Sequence, residues 1–533
     1  MLGLRIALGL GGALLVMAEV RARRLGVAPR ERTARRIGIF LTAIAFLCYF
    51  DFFNPNVRYK EYYHRHEFFH YYMGSKYFRG LGYTRIYECT AVAEVELGRR
   101  SDVAGRELRD LHDSLIKPVT QSYVLTDPDQ CKRHFTPEKW EAFKRDVVWF
   151  EESSRGSYWT EMQKDHGYNP PPVWTMTGMV IGNLGSAGDG FFKLLSAIDV
   201  VLNLGMVVLL GWAFGWRIMA IGTAFWATAV PNEFYWTGGA FLRQDWLFLL
   251  VAAVCLAKKR KFGLAGAALT WSALLRIFPV LLFIGWALAI GLYILRKRSL
   301  HPDHKRLIAG CAIGAAILIP GSMIAAGVDS YPEFLRNITS RQEAGATNRM
   351  GLETMIVHDW DRRMRFLRDD NLHDPFEVWK RERNARLSRM KPVFVLVCIG
   401  VFAWTLWALR RTKLLWAAVP LGLPLIVTLT DPACYYYSAF IVAAVLVSQR
   451  PPLGPLMLAV GGASQLIGSM AKPPNFQGFY WIDDLYAAQA WLFFMFGIAI
   501  LYSYSRPCSL ARLSAWWRGA PERAPRATVE TAR

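Results

Sequence analysis

The sequence predicts an all-α, polytopic membrane protein, and three observations carry that prediction. About a dozen apolar runs of membrane-spanning length lie between residues 4 and 504. Only two long polar stretches interrupt them, at about 54–190 and about 328–391. Basic residues cluster beside the apolar runs in a way that assigns alternate loops to the same side of a bilayer. We therefore expect a platform of helices, with the chemistry in the two polar stretches.

A helix needs roughly 20 apolar residues to cross a bilayer, and this length predicts about thirteen spans. The expected spans are residues 4–20, 37–53, 191–214, 217–236, 241–257, 262–275, 277–295, 307–327, 392–410, 413–431, 435–449, 453–470 and 484–504. A signal peptide is the alternative interpretation of residues 1–20. Its basic part would be a single Arg5, and no Ala-x-Ala-like site follows, so a retained helix is favoured.

The spans divide the chain into parts with different expected surroundings. Transmembrane helices are expected at 1–53, 191–327 and 392–504, and a basic cytoplasmic tail at 505–533. The first extracytoplasmic loop, at 54–190, is expected to hold interfacial amphipathic helices, and a second extracytoplasmic loop covers 328–391. We expect an integral protein of a bacterial-type cytoplasmic (inner) membrane, with its active site facing outside the cytoplasm.

The net charge of +21 is explained by membrane topology rather than by nucleic-acid binding. The basic clusters all lie beside apolar runs, at 21–24, 30–36, 258–261, 296–298, 410–413 and after 506. An aromatic content of 14% suits belts of Trp and Tyr at the level of the lipid headgroups. We expect membrane lipid among the partners and no nucleic acid.

Cys89 and Cys131 both fall in the first polar stretch, whereas the other six cysteines lie in or near the expected spans. Disulfides form and persist in oxidising compartments outside the cytoplasm. The two cysteines could therefore pair, and the alternative is two unrelated thiols. The sequence alone does not decide between them.

The densest group of polar and aromatic residues follows the second expected span and contains the pattern His66-Glu67-Phe68-Phe69-His70. Residues four apart share one face of a helix, so both imidazoles could hold one Zn²⁺ while Glu67 activates its water. Such a site needs a third ligand, for which Glu88 and Glu94 are candidates. The pattern makes a zinc metalloprotease one candidate function, and interfacial histidines without a metal are the other interpretation.

Two carboxylates in this region are candidates for a general base. Asp51 stands at the end of the second expected span, where it could also be a solvated helix end. Glu67 lies in residues 60–79, whose aromatic content and flanking basic residues predict a helix in the membrane interface. Its alternative role is an ion-pair partner for Arg65 or a nearby lysine.

Several basic side chains are candidates for binding a phosphate group. They are Arg276, Arg243, Arg58, His66 and His70. Arg276 is the most informative, since a charge that interrupts two apolar helices beside Pro279 is costly and usually functional. The alternative is a loop arginine whose side chain extends outward to the interface.

The second polar stretch is highly charged, with alternating signs that favour exposed helices held by ion pairs. Within it, residues 348–352 are a less charged patch, and Asn348 is a candidate for a lid over the site. Tyr436 belongs to the aromatic run 435–437 at another outer helix end, where it could stack on an acceptor sugar or belong to the interfacial belt.

These motifs resemble those of the GT-C glycosyltransferases, most closely the bacterial branch that uses polyprenol-phosphate mannose. Glu67-Phe68-Phe69-His70-Tyr71-Tyr72 stands where that branch has Asp-Phe-x-x-Tyr-Tyr, and Gly80 or Gly82 with Tyr83 or Tyr87 follow. Residues 238–246, 263–279 and 348–352 are similar to its helix-entry, Gly-rich-helix and Asn-Gln-Ser-Leu-like motifs. The chain departs by carrying Glu where Asp is usual, which leaves Asp51 as a rival for the same role.

The resemblance implies a GT-C-like fold and a hexosyltransferase, here a mannosyltransferase of the cell envelope. A sugar would pass from a polyprenyl-phosphate donor to a glycan, lipid or protein acceptor in a single displacement with inversion. No cofactor is certain, and a divalent cation stays open. The alternatives are the zinc metalloprotease and a transporter or flippase for a lipid-linked glycan. Sparse charge within the spans and two large loops favour an enzyme over a transporter.

Overall fold

A computed structural model gives the structure of the protein and describes residues 1–27, 30–54, 62–154, 156–342, 348–372, 374–410, 412, 414–470 and 482–506. Helices dominate it, as the sequence predicts. Seven helices in this described part are long and apolar enough to cross a membrane. They are Leu2–Arg24, Asp189–Phe214, Phe278–Lys297, Pro302–Ala326, Glu377–Leu409, Leu453–Met470 and Ile482–Ser505. The structure therefore agrees with a mainly helical integral membrane protein.

The other expected spans are shorter, interrupted or more charged, so the predicted number of thirteen is not confirmed. They correspond to Glu31–Tyr49, Trp216–Thr228, Asp245–Lys258, Phe262–Leu275, Leu415–Leu429 and the 3-10 helix Cys434–Ser448. The expected span at 217–236, for example, ends at Thr228 because Ala229 is extended and Pro231 follows in a separate turn.

The short apolar helices form the centre of the helical bundle, and longer helices surround it. Cys434–Ser448 is buried along most of its length. Pro302–Ala326, by contrast, exposes Ile317 and Ile324 by 66% and 78%. Apolar side chains this exposed are suited to contact with lipid tails, whereas a helix enclosed by protein needs no membrane-length apolar surface.

Two consecutive helices of 14 residues each, Asp245–Lys258 and Phe262–Leu275, pack side by side at this centre. The turn between them is short, so the helices run antiparallel. Gly266 permits close packing on the next helix, since a Cβ there would meet the Leu307 carbonyl oxygen at 2.2 Å. Because the two antiparallel helices are equally long, the residue before the first helix and the residue after the second helix lie at the same end of the pair.

The first polar stretch folds into a compact unit that we call the loop domain (residues 62–154 and 156–188). Its helices after residue 85 are Ile86–Glu96, Arg100–Ala104, Asp129–Lys132, Pro137–Ser153, Gly156–Met162 and Pro172–Gly182, with 3-10 turns at Val119–Gln121 and Tyr123–Leu125. It also contains an antiparallel hairpin of Glu107–Asp110 with Leu115–Pro118, in which Leu108 is opposite Lys117. The expected all-α chain thus includes a small β element.

The predicted interfacial helix at 60–79 is the buried centre of the loop domain rather than a surface helix. Its described part forms the short turns Arg65–Phe68, Phe69–Met73, Gly74–Lys76 and Phe78–Leu81. Phe68, Phe69 and Tyr72 are completely buried, and Phe68 stacks on Phe192 of the bundle at 4.3 Å. The aromatic residues that suggested a membrane interface instead pack against other parts of the protein.

Cys89 and Cys131 form a disulfide, which confirms the pairing that the sequence left open. The bond joins helix Ile86–Glu96 to the short helix Asp129–Lys132 across 42 residues of chain. It closes a covalent loop within the loop domain, and such loops restrict the unfolded chain.

The second polar stretch contains Ser330–Gln342 and Leu352–Val357, and then enters the 33-residue helix Glu377–Leu409. This helix continues through Pro392, so the structure has no break at the predicted boundary between 391 and 392. A helix of this length extends about 50 Å, more than the roughly 30 Å of a bilayer core. Its charged first half therefore stands outside the hydrocarbon. The predicted tail after Arg506 lies outside the described residues.

Hydrogen bonds to backbone carbonyls attach the loop domain to the bundle. The Arg79 guanidinium donates to the carbonyl oxygens of Ile324 and Ala325, both at 3.0 Å, at the end of helix Pro302–Ala326. The His64 N–H donates to the Gly239 carbonyl at 2.7 Å. The loop domain is thereby held against the segment that carries Arg243.

A candidate active site between the loop domain and the helical bundle

The backbone before helix Asp245–Lys258 is fixed by a carboxylate from another helix. Asp199 accepts the N–H of Arg243 at 3.0 and 3.1 Å and the N–H of Gln244 at 3.1 Å. It thereby satisfies donors that a helix start leaves without intrahelical partners. Gly239 has φ +66°, and a Cβ there would meet loop-domain backbone at 2.3 Å, so this close approach requires glycine.

The Arg243 side chain is buried among aromatic and polar groups. Its guanidinium donates to the Tyr71 hydroxyl, and its Nε lies 3.4 Å from Glu67 Oε2. Tyr71 in turn donates to Asn169 Oδ1 at 2.7 Å. The guanidinium carbon also lies over the Tyr71 and Tyr435 rings, at 4.5 and 5.2 Å from their centres. Arg243 thus joins two loop-domain segments to the bundle.

Glu67 is the carboxylate that the structure places at this arginine. The helical turn that carries it starts at His64, whose Nδ1 accepts the Glu67 N–H at 3.3 Å. Its Oε2 is buried and accepts no hydrogen bond from the described residues. The side chain as a whole remains 18% exposed. Arg65, an expected ion-pair partner of Glu67, donates to the Tyr63 hydroxyl at 3.1 Å.

Arg276 is buried and does not extend outward to the interface. It follows helix Phe262–Leu275, so it lies at the same end of the helix pair as Arg243. Its guanidinium donates to the carbonyl oxygens of Leu275 at 2.7 Å and Leu242 at 3.4 Å. Within the described residues it forms no ion pair, and the nearby Asp245 Oδ1 accepts the N–H of Trp246 at 2.8 Å.

A cavity of about 590 Å³ adjoins Arg276. Three predicted site residues line it together, namely Arg276, Asn348 and Tyr436. Arg276, Tyr435 and Tyr436 also line a small recess with Arg243, so the two arginines share one polar surface. A cavity of this size is in the range that small-molecule sites occupy.

A second cavity, of about 610 Å³, lies among the charged residues of the second polar stretch. Arg349, Glu353 and Asp431 line both large cavities, so the two are neighbours. Backbone pairing fixes this wall, since the Cys434 N–H donates to the Asn348 carbonyl at 2.8 Å. Asn348 is therefore anchored to the bundle at the cavity wall, and the preceding residues 343–347 lie outside the described chain.

Asp51, the rival candidate base, lies at a different place. Its carboxylate pairs with Arg5 at 3.1 Å, and the same guanidinium pairs with Glu233 at 3.3 Å. Asp51 lines neither of the two large cavities. Glu67 does not line them either, so what distinguishes the two carboxylates is the arginine that each one pairs with. Arg58, a predicted phosphate ligand, lies outside the described residues.

His66 and His70 form a separate cluster with a carboxylate that the sequence did not indicate. His66 Nε2 lies 2.8 Å from Asp165 Oδ2. One ligand atom from each of the three side chains lies within 4.8 Å of the others, a spacing compatible with one metal ion. The two histidines, predicted as phosphate ligands beside Arg243 and Arg276, line neither large cavity.

The expected third metal ligands, Glu88 and Glu94, are engaged elsewhere, so that expectation is wrong. Glu94 accepts two hydrogen bonds from Arg106, at 2.7 and 3.0 Å, and one from Trp159 at 2.9 Å. Glu88 is buried, and burial together with the charge of Asp110 raises its pKa to about 7. Neither belongs to the histidine cluster.

Comparison of the chain with protein-family models, with curated proteins and with solved structures found no match. The function must therefore be argued from the site. Several residues of the site were not predicted as site residues, among them Asp165, Asp199 and Arg349. Arg349 stood inside the motif that drew attention to Asn348, whereas nothing local in the sequence marks the two aspartates.

Proposed function

We propose that the protein transfers a sugar from a polyprenyl-phosphate donor to an acceptor hydroxyl, with Glu67 as general base. The observation that carries this proposal is the Glu67 carboxylate beside buried Arg243, which shares a polar recess with Arg276. The recess shares residues with a cavity large enough for a sugar and a phosphate. This arrangement supplies both a proton acceptor and groups that bind an anion.

The two arginines are suited to hold the phosphate that leaves. A guanidinium presents several N–H donors in one plane and binds phosphate through paired hydrogen bonds. Arg276 uses two of its donors on backbone carbonyls, and among the described residues no carboxylate pairs with it. A phosphate in the adjoining cavity of about 590 Å³ would add an anionic partner to this buried cation.

The reaction that fits is a single displacement at the sugar C1. The acceptor oxygen forms a bond to C1 as the bond from C1 to the phosphate oxygen breaks. Glu67 takes the proton of the acceptor hydroxyl, and the lipid phosphate leaves with the electron pair of the broken bond. Attack opposite the leaving group inverts the configuration at C1.

The specific donor that we propose is a polyprenyl-phosphate hexose such as polyprenol-phosphate mannose, with a glycan, lipid or protein as acceptor. Two observations support this setting. The bundle exposes apolar side chains on its long helices, as binding of a prenyl tail requires. The Cys89–Cys131 disulfide suits a loop domain in an oxidising space outside the cytoplasm.

The test is transfer of label from polyprenyl-phosphate [³H]mannose by the purified protein in phospholipid vesicles. A total membrane extract serves as the source of acceptor, and polyprenyl-phosphate glucose and galactose are the other donors. We expect label in a new product, and Glu67→Gln to lower its rate by about 100-fold or more. The matched variant Asp51→Asn should stay within about fivefold of wild type. Neither transfer nor donor hydrolysis with any of the three donors would reject the proposal.

A zinc metalloprotease is the second candidate, and the cluster of His66, His70 and Asp165 favours it. That chemistry requires Glu67 to activate a metal-bound water. The Glu67 Oε2 instead lies 3.4 Å from Arg243 Nε, which is why the transferase ranks first. Zinc-dependent cleavage of unfolded casein that disappears in Glu67→Gln would reverse this order.

A further inference from the structure

Three side chains of the loop domain converge from two segments of the chain. His66 and His70 lie on successive helical turns, with ring centres 4.7 Å apart. Asp165 follows helix Gly156–Met162 and is 99 residues from His66 in sequence. Two imidazoles and one carboxylate are a common donor set for zinc, with a water as fourth ligand.

The hydrogen bonds around His70 prepare it to act as a metal ligand. Its Nδ1 lies 2.8 Å from the His66 carbonyl oxygen, which can only accept, so Nδ1 carries the proton. Its Nε2 therefore has the lone pair, and the Tyr87 hydroxyl lies 2.7 Å from it. Metal-binding histidines usually donate their other N–H to a carbonyl or carboxylate in this way, which fixes the tautomer.

His66 and Asp165 complete the donor set. His66 Nε2 lies 2.8 Å from Asp165 Oδ2, so a neutral imidazole with its proton on Nδ1 would leave two donor atoms side by side. Neutral imidazole and carboxylate are ligands that zinc accepts at about 2.0–2.2 Å. Small movements of the two side chains would place a cation between these donors and His70 Nε2.

The cluster is close to the proposed site but separate from the proposed base. Glu67 lies between the two histidines in sequence, and its carboxylate faces Arg243. Two residues soon after Asp165, His166 and Asn169, line the large cavity. An ion held by both segments would therefore link the turn that carries Glu67 to the cavity wall.

We propose that His66, His70 and Asp165 bind one Zn²⁺ ion, which positions Glu67 and the cavity wall and does not act on the substrate. This inference concerns binding and does not depend on the transferase activity. The ligands are His66 Nε2, His70 Nε2 and one oxygen of Asp165. Binding displaces the Tyr87 hydroxyl from His70 Nε2 and moves the proton between His66 Nε2 and Asp165 to His66 Nδ1 or to solvent.

The experiment is zinc binding by the full-length protein in detergent after removal of bound metal with a chelator. Elemental analysis and calorimetric titration with ZnCl₂ give stoichiometry and affinity, and CoCl₂ gives an absorption spectrum of the site. We expect one zinc per chain in wild type, and a loss of affinity of about 100-fold or more in His66→Ala and His70→Ala. His112→Ala is the matched control, since His112 is exposed in the same domain and outside the cluster.

Asp165→Asn keeps the shape of the side chain and serves if a histidine variant fails to fold. It should weaken zinc binding in protein that remains monodisperse, and saturating zinc should raise Tm in wild type and His112→Ala more than in Asp165→Asn. No stoichiometric zinc in wild type, or equal zinc in wild type and both histidine variants, would overturn the proposal.

Discussion

Two buried arginines of the bundle each pair with a carboxylate, and the surroundings of the two ion pairs differ. Arg5 lies between Asp51 and Glu233, at 3.1 and 3.3 Å, so one guanidinium serves two acids. Arg243 pairs with Glu67 at 3.4 Å and lines a recess with Arg276. Both pairs contain a candidate base from the sequence, and in the second the arginine shares its recess with another predicted phosphate ligand, Arg276.

The difference shows how the neighbourhood of an ion pair separates a structural from a chemical role. The Arg5 guanidinium is shared by two carboxylates and holds three chain segments together. At Arg243 the Glu67 Oε2 accepts no hydrogen bond from the part of the chain that the structure describes. A carboxylate with an unused lone pair can accept a proton from a substrate, provided that the substrate reaches it.

The largest expected effect is at Glu67, where removal of the charge and shortening of the side chain should differ. Glu67→Gln cannot accept a proton and should lower transfer by about 100-fold or more. Glu67→Asp keeps the carboxylate and should retain at least ten times the rate of Glu67→Gln. Initial rates of label transfer at saturating donor measure both. Equal rates in the two variants would mean that Glu67 acts by shape and not as a base.

The next largest effect concerns the Arg5 ion pair, where we expect a loss of stability and not of activity. Arg5→Gln leaves Asp51 and Glu233 without their shared cation, which should lower the free energy of unfolding by about 2–4 kcal/mol. Denaturant titration of detergent-solubilised protein measures it. The transfer rate per folded molecule should stay within about threefold of wild type. A loss of turnover without loss of stability would place the active site at Arg5 instead.

Arg276→Gln should weaken donor binding by about 10- to 100-fold. The positive charge of Arg276 attracts the phosphate of the bound donor as well as the phosphate that leaves in the reaction. Arg298→Gln is the control, since Arg298 is an exposed residue at the far end of the following helix. Competition of undecaprenyl phosphate against a fluorescent donor analogue gives the two affinities. Similar affinities in both variants would remove Arg276 from the site.

The smallest effect concerns Glu88, a buried carboxylate that has no ion pair among the described residues. Burial raises its pKa to about 7, whereas the unfolded chain titrates near 4.3. The folded state thus holds a proton that the unfolded state loses, and this contribution to stability falls as pH rises from about 4.3 to 7. Glu88→Gln should therefore be more stable than wild type at pH 8, by about 1–2 kcal/mol, and nearly equal at pH 4.5. Thermal unfolding at the two pH values decides.

The class of fold could be predicted from the sequence because apolar runs of about 20 residues are rare outside membrane-spanning helices. The number of spans could not. Hydropathy alone does not distinguish a helix enclosed by protein, such as Asp245–Lys258, from one that faces lipid, such as Pro302–Ala326. The same ambiguity applies to residues 60–79, whose aromatic side chains pack inside the loop domain and not at a membrane interface.

For the site, local rules indicated single residues and missed their partners. The Pro279 break correctly indicated that Arg276 lies between two apolar helices. The Asp165 carboxylate lies 99 residues from His66, and no motif connects them. Likewise, the partner that distinguishes Glu67 from Asp51 is an arginine far away in sequence. Pairings of this kind are decided by tertiary contacts, which one sequence does not reveal.

The equal lengths of helices Asp245–Lys258 and Phe262–Leu275 have a consequence for the depth of Arg243 and Arg276 in the membrane. Fourteen residues extend about 21 Å, which is about 9 Å less than the hydrocarbon thickness of a typical bilayer. If the basic turn at 258–261 lies at one headgroup boundary, Arg243 and Arg276 end well below the other. The phosphate of the proposed lipid donor would then have to move from the headgroup level toward the midplane of the bilayer to reach them. Membranes made of shorter acyl chains would shorten the distance that this phosphate has to move, so the bilayer thickness would affect the rate of the proposed transfer.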